Sequence, residues 1–139
     1  MTTPVSDLAA LLRSISPVLN NGVFIFASLP SATPLPDVHA LATFREHEGV
    51  TLIVEEQRAL QAGLPVLFRA AWITLQVHSD LHAVGLSAAV AGALTRANIS
   101  CNIVAAAHHD HLFVPVDSAH VAVAVLQDLQ RQAEHANAS

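Results

Sequence analysis

Nine histidines in 139 residues raise the question of metal or acid–base chemistry at once. The densest group is His108-His-Asp-His111. A zinc site needs side chains that converge tetrahedrally, and neighbours in a tight turn point apart. His109 and His111 could share a face, with His78 or His82 as a third ligand; an ordinary polar turn between strands explains the same residues. No nucleophile assembly competes with this. Ser79 and Ser87 lie near histidines, but neither sits in a Gly-x-Ser-x-Gly elbow. The five glycines build no phosphate-cradling loop. Phe44-Arg-Glu46 and Glu48-Gly49 read as a solvated, charged turn. Cys101 is the single cysteine, which excludes an internal disulfide and suits a reducing cytoplasm. It reads as a buried structural thiol. No catalytic residue, metal or cofactor is assigned, and the chain is not expected to be an enzyme. A metal-dependent enzyme built on the histidines is the alternative from a different class.

The stretch Val77-His-Ser-Asp-Leu-His-Ala-Val-Gly-Leu86 is more suggestive. It predicts a strand end and a helix start, with Ser79 and Asp80 at the junction. A helix N-terminus presents unpaired N–H groups and partial positive charge, which suits a small carboxylate. Asp80 could pair with an ammonium group of the same molecule, Gly85 would allow close approach, and Asn102 would add an amide. Equally, Asp80 could be a plain N-cap with no ligand at all.

The elements that would position these residues begin with Trp72-Ile-Thr-Leu-Gln-Val-His78, whose alternation predicts a half-buried strand. A helix over Leu81–Ala97 follows, then strands over Ile99–Ala105 and Leu112–Val116, then a helix capped by Asp117-Ser118. That order is the signature of an α+β sandwich with helices on one face. In the first half, a helix is expected from Leu8 to Ile15, ending before Pro17. Asn20-Asn21-Gly22 is a turn, and Val23–Leu29 a strand. Pro30–Pro36 is a loop, and Ala42–His47 and Val50–Val54 are strands. A short helix runs from Glu55 to Ala62, stopped by Gly63 and Pro65. The halves rhyme, helix Leu8–Ile15 against helix Leu86–Arg96, and strand Val50–Val54 against strand Leu112–Val116. The first half thus reads as a copy without its leading strand.

Composition bounds the rest. The chain is 53% apolar and 12% charged, with formal net charge −5 and mean hydropathy +0.48. No run reaches the roughly 18 apolar residues of a membrane span, and no signal peptide is expected. The six basic residues are all arginine and scattered singly, so no basic stripe exists for nucleic acid. Low charge, with a Leu81–Ala97 helix apolar nearly all round, predicts a buried partner surface and a homodimer.

Trp72-Ile-Thr-Leu-Gln-Val-His-Ser79, Ala83-Val-Gly-Leu86, Ile99-Ser-Cys-Asn102 and His109-Asp-His-Leu-Phe-Val-Pro115 resemble the small bacterial tandem ACT-domain proteins. Gly22-Val-Phe-Ile-Phe26, Phe44-Arg-Glu46 and Glu48-Gly-Val-Thr-Leu-Ile53 are similar to their divergent first unit. The resemblance implies an α+β chain of two ferredoxin-like βαββαβ subdomains, with antiparallel sheets and helices on one face. These are a divergent N-terminal unit over 1–66 and a C-terminal unit over 67–139, as in the regulatory pairs of aspartate kinases. It further implies a stand-alone regulatory module that binds a small-molecule effector, an amino acid, allosterically and without a catalytic domain; the lone cysteine places it in the cytoplasm. The ligand-binding set it implies is His78, Ser79, Asp80, Leu81, Val84, Gly85, Leu86 and Ser87, faced by Asn102 and Ile103. A purely structural dimerisation module is the third alternative.

Overall fold

A computed structural model describes residues 7–77 and 81–138. It holds seven strands and four α-helices: α1 Leu8–Ser14, β1 Ser16–Leu19, β2 Phe24–Pro30, β3 Ala42–Arg45, β4 Gly49–Glu55, α2 Glu56–Gln61, β5 Phe68–Gln76, α3 Leu86–Arg96, β6 Asn102–Ala105, β7 Asp110–Pro115 and α4 Ala119–Ala138. The strands form one antiparallel sheet in the order β3-β4-β2-β5-β7-β6, with β1 also on β5.

β5 explains the topology. Its first residues pair with β2, Phe24 opposite Ala70, while its later ones pair with β1, Leu19 opposite Ile73. β1 and β2 therefore lie end to end along one edge of β5, separated by the Asn20–Val23 turn. Asn20 keeps that turn on the sheet, its N–H donating to the Trp72 carbonyl at 2.9 Å. Two ferredoxin-like units share the long strand. The first is β2, β3, β4, α2 and the start of β5. The second is the rest of β5, α3, β6, β7 and α4, closed by β1.

The side-chain period of two sorts the faces. Ala71, Ile73, Leu75, Leu112 and Val114 point to one side and form a core with Leu11, Leu86, Val90, Leu94 and Leu126 of the helices. Ile25, Leu52 and Val54 form a smaller core with Val38 and Ala59 of α2. The helices thus cover one face of the sheet, and both cores lie beneath them.

Three expectations are corrected. α1 is not the first helix of the N-terminal half: Leu11 and Ile15 are buried in the core of the second unit. The corresponding helix of the first unit is absent, its place taken by the proline-bearing segment 31–41, which buries Val38. β1 was masked by Pro17, read as a helix stop; proline is tolerated in a short strand that pairs on one side only. Finally, α3 starts at Leu86 rather than Leu81, because Gly85, at φ +101°, turns the chain into the helix. Leu8 of α1 packs against this glycine, and a Cβ there would lie 3.0 Å from Leu8 Cδ2.

Among the described residues, the opposite face carries no helix. Every aromatic residue of the chain stands on it: Phe24, Phe26, Phe44, Phe68, Phe113 and Trp72. Edge-to-face contacts link Phe24 to Trp72 and Phe26 to both Phe68 and Phe113, at centroid distances of 5.2 to 5.6 Å. The sheet coils around these rings, so that Ala42 of β3 and Val104 of β6, from its two outer strands, line one cleft.

Candidate functional site

Among the described residues no side chain caps the N-terminus of α3; its first N–H groups, at Leu86, Ser87 and Ala88, lack helical partners, as at any helix start. These residues open onto a cavity of about 100 Å³ that Leu81, Ala83, Gly85, Ala105 and Asp110 also line. Asp110 begins β7, opposite Leu75 and Ala105. It is only 5% exposed, and its carboxylate accepts no hydrogen bond among the described residues. Burial raises its pKa above the usual carboxylate range, with His111 and His109 pulling the other way. The cavity therefore joins one anionic group to a row of backbone donors, a pairing that matches a zwitterion.

Leu81, Gly85, Leu86 and Ser87 of the expected set meet at this cavity. Val84, between the lining residues Ala83 and Gly85, is not part of the lining and is 82% exposed. Asn102 does not face it: paired with Phe113 in β6, it shares the helix-free face. Ile103 packs into the larger core. His78, Ser79 and Asp80 lie outside the described residues. In the sequence Asp110 reads as one more polar residue of a histidine turn; its place two residues before buried Leu112 is the signal that it shares the inward face.

The histidine turn divides its labour. His108 and His109 precede β7, while Asp110 and His111 open it on opposite faces. His111 joins the aromatic face, where Trp72 Nε1–H donates to its Nδ1 at 3.0 Å. Thr74 Oγ1 lies 3.3 Å from the same nitrogen and accepts from Asn20 Nδ2 at 2.9 Å. An Nδ1 that accepts leaves the proton of a neutral imidazole on Nε2. Burial lowers the pKa of His111, His109 adds to this, and Asp110 opposes it. Among the described residues, no three His, Cys, Asp or Glu side chains are placed to hold a metal ion. Cys101 lies just before β6, half-buried, and burial pushes its thiol up to about 11.

ACT-domain profiles match residues 3–71 and again 68–128. The chain is a tandem ACT-domain protein. A Vibrio cholerae protein of unknown function, described as a possible transport protein, shares 42% identity. The match spans 88% of this chain and 95% of that one, with a TM-score of 0.79. An Agrobacterium tumefaciens protein, 16% identical, superposes with a TM-score of 0.67 over 84% of this chain and 89% of its own. The regulatory subunit of aspartate kinase from Thermus flavus does so at 0.59, with 9% identity and coverage of 81% and 95%. These last two share the fold. Comparison with curated proteins gives no match. ACT domains are regulatory, and the tandem pair makes this chain a regulatory, ligand-binding module. Among the described residues, no helix is long and apolar enough to cross a membrane.

Proposed function

We propose that this tandem ACT protein senses an α-amino acid at the N-terminus of α3 and transmits its occupancy to a partner. The observation that carries this reading is Asp110, a buried carboxylate without a hydrogen-bond partner among the described residues, in one cavity with the N–H groups of Leu86–Ala88, which have no helical partners. An α-ammonium would pair with Asp110, and the α-carboxylate would take the helix N–H groups and the positive end of the dipole. The cavity has room for this head group, and the side chain would lie toward the exposed Leu81–Val84 segment. Residues 78–80, which join β5 to this segment, belong to the same proposed site. A second copy seated on Leu81 and Val84, 66% and 82% exposed, would cover the opening and make the protein a homodimer. We assign one ACT unit to 1–66 and the other to 67–139, with the α1–β1 segment completing the second. A reducing cytoplasm suits the lone thiol.

Calorimetric titration tests the head-group assignment. Each α-amino acid that binds is compared with its amine and its carboxylic acid lacking the other charged group. Both charges are needed under this reading, so each analogue should bind at least tenfold more weakly, about 1.4 kcal/mol. An analogue that binds as tightly as its parent overturns it.

A further inference from the structure

The helix-free face holds a second, chemically different cavity. Between β3 and β6 lie two adjoining spaces of about 200 and 250 Å³, sharing Ala42 and Val104. Trp72, His111 and Phe113 line the first; Phe26 and Phe44 line the second. No charged side chain belongs to either lining. We propose that this cleft binds a small neutral apolar molecule, aromatic or aliphatic, carrying a single hydrogen-bond acceptor.

Size, charge and shape each narrow the occupant. An apolar cavity of about 150 Å³ elsewhere stays dry and takes up benzene, so either space suits one ring. Burying an ammonium or carboxylate here would leave it unpaired, which is costly, so a free amino acid or chain terminus is disfavoured. Two short pockets between strand edges do not make the long groove that a partner helix needs. The walls are also fixed in advance. Trp72 is held by an edge-to-face contact with Phe24 and by its N–H bond to His111, and Phe113 is pinned against Phe26. Walls held this firmly leave little ordering to be done on binding. With Nδ1 occupied by the indole, the N–H at Nε2 is the donor that His111 can offer. One such donor fixes orientation in a site that is otherwise apolar.

Trp72 is the sole tryptophan, so its emission reads this cleft and not the α3 cavity. The probes are benzyl alcohol, benzoate and L-phenylalanine, titrated at pH 8. Benzyl alcohol should shift the Trp72 emission saturably, with the two charged probes at least tenfold weaker at this site. Val104→Phe and Ala106→Phe fill the cleft from exposed positions, so the fold should persist by circular dichroism while benzyl alcohol binds at least tenfold more weakly. A response that never saturates, or equal binding by both filled variants, overturns the proposal. So does a response lost only together with self-association in Phe44→Ser, which would assign the cleft to a second copy. Failure of amino-acid binding at α3 would leave these outcomes unchanged.

Discussion

Asp110 and His111 are adjacent in sequence, lie on opposite faces of β7, and answer to pH in opposite ways. His111 resists protonation in the fold because burial lowers its pKa from 6.5. On acidification the unfolded chain takes up that proton first, so the stability His111 contributes is whole above its ordinary pKa and lost as pH falls below it. Asp110, with a raised pKa, has the reverse sign, and its window opens above its ordinary value of 3.8. Between pH 7.5 and 5.5 the His111 effect should lower the melting temperature, while Trp72 emission should change only at the lower pH where the folded imidazole itself takes up a proton and the indole loses its acceptor. In His111→Gln, whose amide oxygen can replace that acceptor, the emission change should vanish; an unchanged pH response would exclude His111 as its source. Asp110→Asn separates ligand from scaffold. Removing a buried charge that has no hydrogen-bond partner among the described residues should leave the ligand-free protein as stable as before or more so, yet weaken amino-acid affinity at least tenfold, about 1.4 kcal/mol. Equal calorimetric affinities would remove Asp110 from the site.

Among the elements, the run from Trp72 to Asp117 was legible because its alternation, short β-branched runs and acidic helix start each report on local structure. The α1–β1 segment was not. Leu8, Leu11, Leu12 and Ile15 show that a helix has an apolar face, but not which sheet receives it; that is decided by pairing along β5, more than fifty residues away. The start of α3 was misplaced for a related reason. Ser79-Asp80 is a plausible cap, whereas the helix in the fold begins at Gly85, against Leu8 of α1. The aromatic face was legible only residue by residue, since its rings come from four different strands. The packing of α1 gives a direct test. Leu11 is fully buried, so Leu11→Ala should cost about 2–5 kcal/mol in urea unfolding, as deep core positions do. A cost below about 1 kcal/mol, the scale of ordinary surface changes, would show that α1 is a loose appendage. Gly49 tests the sheet. A Cβ there would lie 2.3 Å from the Leu29 carbonyl oxygen of β2, so Gly49→Ala should destabilise by about 1–3 kcal/mol and loosen the β2–β4 pairing in amide exchange.

For the whole molecule, one long strand, β5, ends the first ACT unit and begins the second, so the two units should unfold together. Their surfaces differ in purpose. The helix-covered side holds a cavity that joins Asp110 to the start of α3, beside the exposed Leu81 and Val84, and the bare side an aromatic cleft. With Leu81 and Val84 covered by a second copy, light scattering coupled to size exclusion should give about twice the chain mass of 14.6 kDa at micromolar concentration. Val84→Asp should shift this toward monomer; a wild-type monomer would count against a site closed by a partner. Effector sensing is tested most directly by a thermal-shift screen of the twenty amino acids on the wild-type chain. An effector at one hundred times its dissociation constant should stabilise the fold by about 2.7 kcal/mol, which raises the melting temperature of a domain this size by several degrees. One amino acid, or a few of related chemistry, should do so while the rest leave the transition in place; twenty unmoved transitions would contradict the account.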